Sequence, residues 1–216
     1  MKTFKEYSLE RDSLMGIVNL TEAALFESQS LFKEMAILNP NAITKTQNAL
    51  QFIHQNNIPG VLIGGMAVSH FTQDRALTPD VDFLTPNMAG LKELLHAQNI
   101  PFQPLASSGD FGGISVPQID ADFLDANEGN TKFNHYILQT AVTARIGGVS
   151  FPVINAAVLT IMKFMIGRDK DTEDAFKLLP TIPKDALKSH LKALRNSITG
   201  DIDAKTIWDY RAMMPA

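Results

Sequence analysis

Two periodicities alternate along this chain, and the switches between them outline the fold. Leu14, Ile17, Val18, Ala24, Leu25, Leu31, Phe32 and Met35 fall at helical spacing, so residues 8–38 read as helical. Asn39-Pro40-Asn41 breaks that run. A second helix is predicted over 44–56, with Leu50 and Ile53 inside and with Asn57 and Pro59-Gly60 ending it. A short buried strand follows at 61–63, then a short helix at 65–71 and a loop through Arg75 and Pro79. The strand 81–84 comes next. Side chains alternate faces along a strand, so Val81 and Phe83 point to a core and Asp80 and Asp82 share the other face.

The middle of the chain keeps this mixed character. A helix is predicted over 88–98 and ends at Asn99, and 101–105 reads as a strand. Glycines 109, 112 and 113 mark a turn. Strands are predicted at 114–116 and 119–124, interrupted or bulged at Pro117. A helix over 130–140 precedes strands 144–146 and 149–153, and Gly147-Gly148 between them is a hairpin signal. From Asn155 the pattern turns helical, at 155–166, 171–179, 184–196 and 203–213, with Pro180, Pro183 and Gly200 as separators. This order implies an α+β fold: a small mixed sheet with flanking helices, plus a C-terminal helical subdomain. The expected division is N-terminal helices over 1–49 packing on the core, an α/β core over 50–154, and the helical subdomain over 155–216.

Composition narrows the picture. At 45% apolar, the 216 residues can bury a core. A net charge of −4 argues against a protein that coats nucleic acid by bulk positive charge, while leaving room for a local basic patch. With no cysteine there is no disulfide, thiolate zinc site or cysteine nucleophile. The opening MKTFKEYSLERD lacks the apolar centre of a signal peptide, and the apolar run 156–166 is interrupted by Thr160 and Lys163. It is too short to cross a bilayer. The expectation is a soluble, cytoplasmic protein without a membrane partner.

The chemistry concentrates in VLIGGMAVSHFTQDRALTPDVDFLTP, residues 61–86. An apolar strand runs into Gly64-Gly65, and the next strand brings Asp80 and Asp82 to one face. A glycine turn that opens a helix lets a phosphate meet backbone N–H groups. Two converging carboxylates suit a hard divalent cation, Mg²⁺ or Mn²⁺. A third acid comes from IDADFLD, residues 119–125, where Asp120 and Asp122 share a face and either can join the pair. Three carboxylates can hold two cations, one on a triphosphate and one on an acceptor hydroxyl in line with the α-phosphate. The third acid can also serve as general base.

The segment IGGMAVSHFTQDRALTPDVDFL resembles the GG…D-x-D signature of the nucleotidyltransferase superfamily, the DNA polymerase beta-like fold. It is most similar to the AbiEii-type branch, which includes toxins of toxin–antitoxin and abortive-infection systems. ADFLDA, residues 121–126, resembles the branch's third-acid strand and favours Asp122. VLTIMKFMIGRDKDTEDAFKLL, residues 158–179, resembles its later helix pair, with Lys163, Arg168, Lys170, Asp171 and Asp174 at the matching positions. The resemblance implies an NTP donor, a divalent cation, and transfer of NMP to a hydroxyl of RNA, protein or a small molecule. It implies Asp80, Asp82 and Asp122 as catalytic and metal-holding residues, and Gly64, Gly65, Arg75 and Lys163 as nucleotide-binding residues. An antitoxin partner follows from the same branch. Thr78, before the acid pair, also fits its pattern.

Plainer readings compete. Gly64-Gly65 also suits a tight turn, and an isolated D-x-D suits the wet face of an edge strand. Lys163 can snorkel from an apolar helix, touch phosphates or pair with an acid across the cleft. Arg168, Lys170, Asp171 and Asp174 suit salt pairs and a helix N-terminus. Asp125 reads as a strand end, His70 and His135 as structural or surface groups, and Met162, Phe164 and Met165 as core. The rival to an enzyme is a non-catalytic nucleotide- or partner-binding protein on the same fold.

Overall fold

The computed structural model describes residues 40–72, 80–105, 112–146, 149–199 and 202–214. The helix expected over 8–38, together with Arg75 and Thr78, lies outside them. In chain order the elements are α1 (Pro40–Gln55), β1 (Val61–Leu62), α2 (Gly64–Thr72), β2 (Val81–Thr85), α3 (Met88–Ala97), β3 (Gln103–Pro104), β4 (Gly113–Val116), β5 (Ala121–Asp125), α4 (Thr131–Thr140), β6 (Val142–Ile146), β7 (Val149–Val153), α5 (Ala156–Ile166), α6 (Asp169–Leu178), α7 (Lys184–Leu194) and α8 (Ala204–Met213).

The strands form one sheet in the order β3-β4-β5-β2-β1-β7-β6. Its centre holds the shortest pairing. Two-residue β1 runs antiparallel to β2, with Leu62 opposite Phe83, and parallel to β7, with Leu62 opposite Val153. β2 runs parallel to β5. The outer pairs β3–β4, β4–β5 and β6–β7 are antiparallel. The β6–β7 hairpin closes with Ile146 opposite Val149, as the double glycine between them predicts. A mixed sheet flanked by helices is the α+β architecture that the hydrophobic pattern implies.

Alternation explains why β2 and β5 lie at the centre. Val81 and Phe83 on one strand and Ala121 and Phe123 on the other are buried, and the two phenyl rings meet edge to face at 6.1 Å. Burying a Phe side chain stabilises by roughly 1.5–3 kcal/mol, so this ladder is a main anchor of the sheet. The same buried cluster continues through Phe133 and Ile137 of α4, Leu159 of α5 and Leu187 and Leu191 of α7 to Ile207 of α8. α5 packs against α2, α6 and α7.

Some boundaries differ from the sequence reading. Pro40 opens α1 rather than only breaking the preceding run; proline is tolerated there because a first-turn N–H has no intrahelical partner. The strand expected over 101–105 shrinks to Gln103–Pro104. Pro117–Ile119 form one 3₁₀ turn, and Asp120 follows in the left-handed region at φ 48°. The strand then begins at Ala121 rather than Ile119, because the turn interrupts the extended backbone. Among the described residues no helix is long and apolar enough to cross a membrane.

Candidate active site

The site begins where β1 ends. Ile63 donates its N–H to the Asp82 carbonyl at 2.9 Å, which fixes the chain beside β2. Gly64 then turns at φ +68° into α2. A Cβ built on Gly64 would stand 1.8 Å from Asp82 Oδ2. Both the left-handed backbone and the close approach therefore require glycine. The next residue, Gly65, donates its N–H to the Asp82 carboxylate. Thus the helix N-terminus, a natural anion site, is occupied by a carboxylate of the protein itself.

Asp82 is half-buried on the face of β2 opposite Val81 and Phe83. Its partner across the parallel pair is Asp122. Adjacent strands lie ~4.8 Å apart, so the two acids stand side by side. Burial, and next the charge of Asp122, push Asp82 up to about 6; Asp80 adds a smaller push, and Lys163 and the Gly65 N–H pull the other way. Asp80 is exposed just before β2. Asp120 shares no strand face with Asp122, since its left-handed backbone precedes β5; its carbonyl accepts from Val81 N–H at 3.0 Å. Asp125 ends β5, where its carboxylate accepts the Asn127 N–H at 2.9 Å.

The opposite wall comes from α5 and α6. Gly167, at φ +69°, ends α5 and lets the chain fold back so that α6 packs on it. This reversal buries a set of charges. Lys163 Nζ lies 2.5 Å from Asp171 Oδ1 and 3.1 Å from Asp174 Oδ2, and the lysine side chain is only 4% exposed. It does not reach the surface. Its partners are acids of the adjacent helix α6 rather than acids across the cleft. Arg168 caps the start of α6 and places Nε 2.5 Å from Asp171 Oδ2. Burial alone would raise Asp171, but hydrogen bonds from Arg168 and Lys163 outweigh it and hold its carboxyl below the usual range. Asp171 and Asp174 are thus buried counter-charges, a role that tertiary contact creates.

The remaining expectations resolve simply. Met162 and Phe164 are buried core residues. His135 is exposed on α4, and His70 packs edge to face on Phe71 at 5.0 Å. Arg75 lies outside the described residues. Among the described residues, no three Asp, Glu or His side chains converge as a ready-made metal site.

No family model matches the chain, and no curated protein matches it. Among solved structures, it is similar to the crystal structure of an antigenic nucleotidyltransferase-like protein from Paracoccidioides brasiliensis. The TM-score is 0.45 at 18% identity, over 76% of this chain and 96% of that one.

Proposed function

We propose that the protein is a metal-dependent nucleotidyltransferase that moves NMP from an NTP to a hydroxyl and releases pyrophosphate. The observation that carries this reading is the in-register pair Asp82 and Asp122, with the Gly64 turn pressed against Asp82.

The donor set fits a hard divalent cation such as Mg²⁺ or Mn²⁺. It is all oxygen, and burial together with the neighbouring acids resists ionisation of Asp82. A cation relieves that repulsion. Mg²⁺ commonly takes one or two carboxylates and completes its shell with water and substrate phosphates, so a pair of acids suffices to hold it. Asp82 and Asp122 would hold the cation, with Asp80 beside them. When bound, it would neutralise phosphate charge and acidify the acceptor hydroxyl.

The chain's own groups supply the rest. Asp122 takes the acceptor's proton as general base. The acceptor oxygen bonds to the α-phosphorus, the bond to the bridging oxygen breaks, and its electron pair leaves with pyrophosphate. Gly64 and Gly65 lie where the start of α2 approaches the acids, close to the phosphates' path. The acceptor class spans RNA, protein and small molecules. With a net charge of −4, an RNA acceptor would need a local basic patch. A toxin role held in check by an antitoxin partner is the biological form this activity would take.

The experiment is incubation with each α-³²P-labelled NTP, Mg²⁺, and total cellular RNA and protein, with Asp82→Asn in parallel. Label transferred only by the wild type supports the reading and identifies donor and acceptor class. Nucleotide binding without transfer to any macromolecule or small hydroxyl would replace it with a non-catalytic binding protein.

A further inference from the structure

A site built on Asp82 and Asp122, with Asp80 exposed just before the strand, is short of positive charge for a triphosphate. Two cationic side chains stand against it, and their surroundings differ. Lys163 is enclosed: its ammonium lies between Asp171 and Asp174, and almost none of the side chain meets solvent. Moving it onto a ligand would leave the buried Asp174 without this partner and Asp171 with Arg168 alone, at a cost of several kcal/mol.

Arg168 is built the other way. Its side chain is 57% exposed, yet its Nε is fixed on Asp171, which is itself fully buried and held by Lys163. Among the described residues its one hydrogen bond is made through Nε, and that bond leaves the two terminal nitrogens uncommitted. The guanidinium is near enough to Asp82 for the carboxylate to favour its charged form. α6, which Arg168 caps, packs against α2, the helix that Gly64 opens. A guanidinium gripped by one nitrogen, with the other two presented as a fork, has the geometry of phosphate recognition.

We propose that Arg168 receives the phosphate oxygens of the nucleotide donor, and that Lys163, Asp171 and Asp174 form the buried mount that aims it. This rests on the nucleotidyltransferase reading and adds a residue to it. Lys163 then acts through Arg168 as a positioning residue. The bridging and terminal phosphates leave as pyrophosphate, so Arg168 stabilises the leaving group and its affinity should depend on phosphate number.

Calorimetric titration of the whole chain with magnesium pyrophosphate, a non-hydrolysable NTP and the matching nucleoside tests this. Arg168→Ala should weaken binding of pyrophosphate and the NTP by about ten- to a hundredfold, the worth of one or two charge-assisted hydrogen bonds. Any binding of the nucleoside should stay unchanged. Arg168→Lys, which keeps the charge without the fork, should fall between and guards against a folding defect in the alanine variant. If wild type binds the NTP and both variants bind it equally well, the assignment of Arg168 is overturned while the wider reading stands. If wild type binds neither the NTP nor pyrophosphate, the wider reading falls and this inference with it.

Discussion

The Asp82 carboxylate fills the space beside Gly64 that any side chain at position 64 would need. The carboxylate oxygen sits where a Gly64 side chain would begin. Gly64→Ala therefore forces a left-handed alanine and displaces Asp82. The backbone alone costs about 1–2 kcal/mol, and the clash adds to it. The expected outcome is a lower Tm together with loss of transfer. An alanine variant with wild-type Tm and wild-type activity would show that the turn adopts another conformation in solution.

Asp82 is held in a place that opposes its own charge. Its folded-state value, about 6, lies above the 3.8 of an unperturbed Asp, so the folded chain binds this proton more tightly than the unfolded one. The resulting stability is fully present below about pH 4 and is lost as pH rises through 6. Above that, ionised Asp82 strains the fold. Asp82→Asn should thus raise stability at pH 7.5 by about 1–2 kcal/mol, and the gain should vanish near pH 4. Denaturant curves at the two pH values measure it, and a destabilised Asn variant at pH 7.5 would contradict the assigned burial.

Asp122 supplies the second-largest push on Asp82, after burial. Asp122→Asn should move the Asp82 titration downward in carboxyl carbon NMR and abolish transfer. Asp120→Asn should do neither, since Asn tolerates the left-handed backbone at that turn and keeps its carbonyl bond to Val81. Equal effects from both variants would mean that the turn is extended into the strand in solution.

Removing Lys163 takes a cation from two buried acids, leaving Asp171 to Arg168 alone. Lys163→Ala should cost about 3–5 kcal/mol, the usual penalty for breaking a buried ion pair from one side. Urea unfolding gives the value. A loss under about 1 kcal/mol would indicate that water reaches Asp171 and Asp174 and that the cluster is open.

Short-range periodicity makes the strand 81–85 and the outward face of Asp82 legible in the sequence. Alternation in Val81-Asp82-Phe83 assigns faces, and the break at Gly64-Gly65 marks the turn. Asp120 and Asp122 look equivalent from spacing alone, because a single 3₁₀ turn at Pro117 resets the alternation before β5. The buried charges were also hidden. Lys163 and Asp171 meet only because Gly167 folds two helices together, and no periodicity records which face becomes the interior. The glycine at 167 was the local sign that such a reversal occurs.

The two-residue strand β1 has a consequence for how the molecule is made. It lies between β2 and β7, so its seat is complete only after β7 has been synthesised. Such distant pairing delays folding. A chain still growing on the ribosome displays the glycine turn and Asp82 well before Lys163 and Arg168 emerge to balance them. Domains tend to fold as units during synthesis. The pairing of β1 with β7 therefore waits until residues 149–153 have been made.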